Sequence, residues 1–206
     1  MSAPRIAVLD AGTYYHRTCI HAEALRACWD RVIYARELDD AQLDGCDALV
    51  VSCRTNPALL IPQRERLARF LASGRTVVAM GETDAHLWLD GVRWTPCEVN
   101  YWWWTQAGAD SGLRLAAPAH ALFGHIGLAD ATWHQHGSFQ PPPGAVSLID
   151  KVGAGSVLYE HDRGGAGRVV VTSLDPMYHH GSHFMPATGR FLRGFLQWLR
   201  ASTKAF

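Results

Sequence analysis

The chain has 206 residues, with 19 basic and 19 acidic side chains, so its formal net charge is zero with histidine neutral. That length suits one well-buried domain spanning 1–206, and the balanced charge gives no electrostatic case for nucleic acid or an anionic membrane. No apolar run approaches the roughly 20 residues a membrane-spanning helix needs, and the opening "MSAPRIAVLD" has no hydrophobic leader region. Five cysteines (Cys19, Cys28, Cys46, Cys53 and Cys97) include no C-x-x-C pair, which favours reduced thiols and a cytoplasmic location. Eight tryptophans and eleven histidines exceed what a core of this size requires.

Along the chain, "RIAVLD" (5–10) reads as a fully buried strand, followed by Gly12. Leu25, Cys28 and Trp29 then fall at helical spacing, i, i+3 and i+4. "RVIYA" (31–35) and "DALVVS" (47–52) are further short strands. Pro62 marks a helix first turn, Leu67, Phe70 and Leu71 form one helical face, and Gly74 provides the stop. "TVVAMG" (76–81) is a fourth strand. Strands alternating with helices at this spacing predict βαβ units and a parallel sheet covered on both faces.

The pattern changes after Gly81. From Thr83 to about Ser111 there is no clean period, yet Trp88, Trp94, Trp102, Trp103 and Trp104 concentrate there. Long aromatic connections of this kind form lids or pocket walls. Strand-like runs resume at "ATWHQHGSFQ", "SVLYEHD" and "RVVVTS", separated by the turn sequences "PPPG" and "RGGAG". The last helix carries Leu192, Phe195, Leu196 and Leu199 on one stripe. The expected fold is α/β, a flavodoxin-like three-layer sandwich whose mostly parallel sheet has an antiparallel extension.

In open parallel sheets, ligands bind outside the carboxyl ends of the strands. Here those exits are polar. The first strand leads into Asp10 and Tyr14, the third into Arg54 and Asn56, and the fourth into Glu82, Asp84 and His86. "RVVVTS" leads into Asp175, Tyr178, His179, His180 and His183. The connections at the opposite edge, such as "DDAQLDGC" and "ASGR", are unremarkable. Glu82, Asp84, Asp175 and His179 are therefore the candidate acid–base groups. Asp10, Tyr14, Arg54, Asn56, His86, Trp103, Tyr178 and His183 are the candidate ligand-binding groups.

Each assignment has a plainer competitor. Asp84 at a helix start would serve as an N-cap, and Asp175 with Pro176 would simply begin a turn. The tryptophan run suits the flat faces of sugar rings, and equally a homo-oligomer interface, where tryptophan is enriched. On a strand, His134 and His136 of "WHQHG" would share one face. With a third ligand from His179, His180 or His183, and His180 the one assigned, they would make a His₃ site for a divalent metal such as zinc. No tight metal motif fixes this, and hydrogen bonding to a small polar ligand is the alternative.

Three segments, "DALVVSCRTNPALL", "LARFLASGRTVVAMGETDAH" and "GRVVVTSLDP" before a terminal helix, together resemble the class I glutamine amidotransferase-like fold. The ThuA-like (trehalose utilisation) branch is the nearest match, since "HALFGHIGLADATWHQHGSF" is similar to that branch's H-P-[IL]-x-x-G segment and the histidine-bearing strand after it. True glutaminases of this fold carry cysteine in G-x-C-x-G after the fourth strand, and histidine before P-E after the last. This chain has "GETDAH", which puts Glu82 or Thr83 at the nucleophile position, and "LDPM", which puts Asp175 and Met177 in place of histidine and glutamate. The resemblance implies a small polar, carbohydrate-derived ligand, bound or transformed without thiol chemistry. A metal-assisted hydrolase or isomerase and a non-catalytic structural domain are its alternatives.

Without a thiolate activated by an adjacent imidazole, the purified protein is expected to release no ammonia from glutamine. Turnover that disappears in Cys53→Ala would overturn this expectation.

Overall fold

The computed structural model describes residues 3–99, 101–183 and 185–205. Ten strands join in one sheet among these residues. They are β1 (Ile6–Asp10), β2 (Arg31–Tyr34), β3 (Ala48–Val51), β4 (Thr76–Ala79), β5 (Trp94–Pro96), β6 (Leu113–Leu115), β7 (Gly137–Phe139), β8 (Val146–Lys151), β9 (Gly155–Asp162) and β10 (Arg168–Thr172). The order is β2-β1-β3-β4-β10-β9-β7-β5, with β8 joining β6 to β9. The body β2-β1-β3-β4-β10 is parallel, and everything beyond β10 is antiparallel.

The short apolar strands are buried on both sides because each face is covered by helices. Ile6, Val8, Val50, Val78 and Val170 point into one core, while Ala7, Leu9, Val51, Val77 and Val171 point into the other. The first core is closed by α1 (Tyr14–Ile20), α5 (Pro176–Gly181) and α6 (Pro186–Ser202). The second is closed by α2 (Asp40–Leu43), α3 (Pro57–Leu60) and α4 (Arg64–Ala72). Helix α6 buries Phe191, Leu192, Phe195, Leu196 and Leu199, each worth about 1.5–3 kcal/mol when fully removed from water. No described helix is long and apolar enough to cross a membrane.

The observed elements depart from the expected ones in several places, the short strands β5 and β6 among them. The spacing of Leu25, Cys28 and Trp29 belongs to successive tight turns ending in a 3₁₀ turn at Arg26–Cys28, while the helix is earlier, at Tyr14–Ile20, capped by Thr13. Buried turns and helices share this spacing, so the pattern alone does not separate them. "WHQHG" is not a strand up to Gly137, since pairing begins only there. Strand β8 escapes a period-two reading because its pairing with β9 shifts register between Ser147 and Asp150, so that Leu148 and Ile149 are both buried.

The exits of β4 and β10 pack backbone to backbone. Gly81 N–H donates to Leu174 O at 2.9 Å, and a Cβ at Gly81 would fall 2.5 Å from Ser173 O and 2.7 Å from Leu174 O. Glycine is required there by close approach. Gly81→Ala should therefore destabilise the protein by about 1–3 kcal/mol, read as a lower urea midpoint with an unchanged m-value. An unaltered midpoint would show that the two exits are not held this tightly.

Candidate functional site

The site begins with two strained turns. Arg54, Glu82 and Asp84 all have left-handed backbones, with φ of 60°, 57° and 48°. Outside glycine this conformation costs on the order of 1–3 kcal/mol, and it concentrates at functional sites. Arg54 is held there by its own N–H donating to Gly81 O at 2.9 Å, and by Thr55 Oγ1 donating to Ser52 O at 2.7 Å. Of the two residues at the family's nucleophile position, Glu82 reaches the site. Thr83 is buried and donates its hydroxyl back to Met80 O.

The Arg54 guanidinium connects the two exits. Its Nε lies 2.6 Å from Glu82 Oε2, and Nε and Nη2 donate to Asp175 Oδ2 at 3.1 and 2.9 Å. Its plane sits over the Tyr178 ring, 3.6 Å from the centroid, an attraction between cation and ring face. Asp175 is wholly buried. Its Oδ1 accepts from Trp133 Nε1 at 3.2 Å and lies 3.0 Å from His179 Nε2. Burial pushes the Asp175 carboxyl up, but the hydrogen bond and charge from His179, with Arg54 and His134, outweigh it and hold it below the usual carboxylate range.

Two further imidazoles complete the cluster. His136 Nδ1 lies 3.0 Å from Glu82 Oε1, while its Nε2 is buried without a hydrogen-bond partner among the described residues. The His134 ring lies 5.2 Å from the His136 ring and 4.9 Å from the His179 ring, centroid to centroid. Burial, reinforced by His179, His136 and Arg54 against the opposing pull of Asp175, lowers the His134 pKa to about 4. The structure thus brings together Arg54, Glu82, His134, His136, Asp175, Tyr178 and His179.

The remaining sequence candidates take other places. Asp84 is exposed at the start of the 3₁₀ turn Ala85–Leu87, without a side-chain cap bond, and His86 is exposed within that turn. Asn56 Oδ1 caps α3 by accepting from Ala58 N. Asp10 Oδ1 closes its own turn by accepting from Gly12 N. Tyr14 is exposed and meets Ser182 Oγ through its hydroxyl at 3.1 Å. His183 is exposed in a left-handed turn after α5. His180 faces Gly189 of α6, so it is not the third member of the His134–His136 group. Asp175 is: one ligand-type atom from each of His134, His136 and Asp175 lies within 4.8 Å of the others.

His134 also borders an open cavity of about 730 Å³, lined by Tyr101, Trp102, Trp103, Trp104, Trp133 and Met185. Sequence reasoning missed Trp133, Tyr101 and Met185. Trp133 was detectable only as the neighbour of His134, whereas the Tyr101 ring, 4.8 Å from that of His134, is placed by the loop. Cys53 is wholly buried, its thiol pushed up by burial and then by Asp175. His16 Nε2 donates to Cys53 O at 2.7 Å, since Nδ1 accepts from Ala11 N. Neither residue opens on the cluster as a nucleophile and base.

No protein-family model matches the chain, and no curated protein matches it. Solved structures do. A protein described as a GMP synthase component from Thermoplasma acidophilum superposes with a TM-score of 0.59 at 14% identity, over 96% of this chain and 94% of that one. A ThuA-like protein from Bacteroides uniformis gives 0.53 at 9%, over 99% and 95%. An exo-β-1,4-mannosidase from Opitutaceae bacterium strain TAV5 gives 0.52 at 12%, over 98% of this chain but 36% of that one. The chain thus shares the α/β fold of these proteins, the ThuA-like one among them.

The lowered His134 pKa sets a pH dependence. The folded chain holds this ring neutral down to about pH 4, whereas its ordinary value is 6.5. The unfolded chain therefore binds the extra proton between those values, and the stability tied to neutral His134 is complete above pH 6.5 and lost as pH falls toward 4. NMR titration of metal-free protein should find the His134 ring resonances flat until about pH 4. A midpoint near the ordinary value would refute the burial assigned to this ring.

Proposed function

We propose that the protein binds a small polar, sugar-like compound at the carboxyl edge of the sheet and transforms it by acid–base chemistry that involves no thiol. The observation that carries this reading is the junction at His134. There the Arg54–Glu82–Asp175 cluster meets the tryptophan-walled cavity. Flat aromatic walls with a few convergent polar groups are the usual make-up of a small-molecule site. The Glu82–His136 pair supplies an imidazole beside a carboxylate, its Nε2 without a hydrogen-bond partner among the described residues, the arrangement of a general acid–base pair. Arg54 and Asp175 position Glu82 and the floor of the site. A sugar ligand is in keeping with the neighbour named as an exo-β-1,4-mannosidase. The balanced charge and the scattered cysteines favour a cytoplasmic setting.

A second reading rests on Trp102 and Trp104, which are 68% and 62% exposed. Such aromatics would suit contact with a second copy of the chain, and sedimentation of wild type against Trp102→Ala separates this use from ligand binding.

Titration with a panel of neutral sugars and sugar acids, followed by tryptophan fluorescence, should give saturable quenching with at least one member and none with glutamine. Trp103→Ala should weaken that binding about tenfold, roughly 1.4 kcal/mol, with the melting temperature unchanged. A folded wild type that binds nothing in the panel would defeat the reading.

A further inference from the structure

Resting on the same site, we infer that His134, His136 and Asp175 hold a divalent transition-metal cation of the zinc type. Two imidazoles and one carboxylate, with a position left open, are the donor set of zinc sites that carry a water or a substrate. Their ligand atoms lie within 4.8 Å of one another. Around tetrahedral zinc such atoms are about 3.4 Å apart, so the side chains close on the ion by small rotations about χ1 and χ2. No thiol joins them: Cys53 Sγ is occupied by Tyr178 N–H at 3.3 Å, and a site of this composition does not select a soft ion.

The surroundings are those of metal-binding histidine. A ligating ring donates its other N–H to a carboxylate, which fixes the tautomer and aims the free nitrogen. His136 is placed for this, its Nδ1 3.0 Å from Glu82 Oε1, and its buried Nε2 has no hydrogen-bond partner among the described residues. Arg54 holds that Glu82 carboxylate in place, and its guanidinium takes Asp175 on Oδ2, leaving Oδ1 on the side of the histidines with Trp133 and His179. Charge points the same way. Glu82 and Asp175 both pair with Arg54, so one guanidinium faces two carboxylates, one of them fully buried. A cation bound opposite Arg54 would share these carboxylates with His136 and His179, whose rings lie 3.0 Å from Glu82 Oε1 and Asp175 Oδ1.

The test uses chelator-stripped full-length protein titrated with cobalt(II), whose visible ligand-field absorption reports low-coordinate binding. Expected are a saturable 1:1 spectrum, its displacement by zinc, and its loss in both His134→Gln and His136→Gln. Glu82→Gln should weaken cobalt binding about 10–100-fold, the usual effect of removing an outer-shell partner. His180→Ala should leave it unchanged. Circular dichroism melts confirm that each variant is folded, and Asp175→Asn offers an independent third probe. Absence of 1:1 cobalt binding to wild type, or binding that survives both histidine variants, would overturn the inference. The sugar titration repeated on stripped protein separates the two readings: ligand binding with no cobalt site removes the metal alone, and a cobalt site with no ligand removes the sugar alone.

Discussion

The Arg54 guanidinium is the constraint on which the site depends. It joins three strand exits by ion pairs to Glu82 after β4 and Asp175 after β10, from its own place after β3. Breaking a buried pair of this kind by removing one partner costs about 3–5 kcal/mol, because the other charge is stranded. Such an interaction specifies arrangement more than it adds stability. The backbone follows it: Arg54 and Glu82 both adopt left-handed conformations, strain that persists because surrounding contacts over-determine it. Gly81 belongs to the same constraint, since any larger residue would push the β4 exit off the β10 carbonyls.

The antiparallel extension supplies the other half of the site. The segment before β7 carries Trp133, His134 and His136 over the parallel edge, where Trp133 Nε1 anchors to Asp175 at 3.2 Å. That hydrogen bond gives a fully buried carboxylate one more donor and pins the histidine segment to α5. The two carboxylates then sit in different environments. Asp175 has no exposure and is wrapped by donors, whereas the Glu82 side chain keeps 28% exposure beside His136.

The chain shares the fold of a GMP synthase component and of a ThuA-like protein, yet Cys53 does not open on the Arg54–Glu82–Asp175 cluster. The Cys53 thiol is buried and accepts from Tyr178 N–H of α5, while the Cys53 carbonyl is bonded by His16. The strained turn after β4 presents a carboxylate in place of a sulfur nucleophile. There the Glu82 carboxylate faces the His136 imidazole across 3.0 Å.

The sequence by itself determined the layers and the strand edge on which the candidate residues fall. Short β-branched runs such as "LVV" and "VVV" can be satisfied only between two helical layers, and the polar exits at Arg54, Glu82 and Asp175 follow from strand direction. It also placed Gly81, Tyr178 and the histidines on one edge. Which histidines face one another was decided by tertiary structure. On α5, Asp175 and His179 are four residues apart and share a face, while His180, one residue further, is turned about 100° toward α6. Asn56, Asp84 and Asp10 look identical to site residues in sequence, but their roles depend on whether a backbone N–H or a distant side chain comes within reach. The aromatic wall is the clearest case: no local period governs Tyr101 to Trp104, and only packing against His134 and Trp133 gives those rings a common cavity.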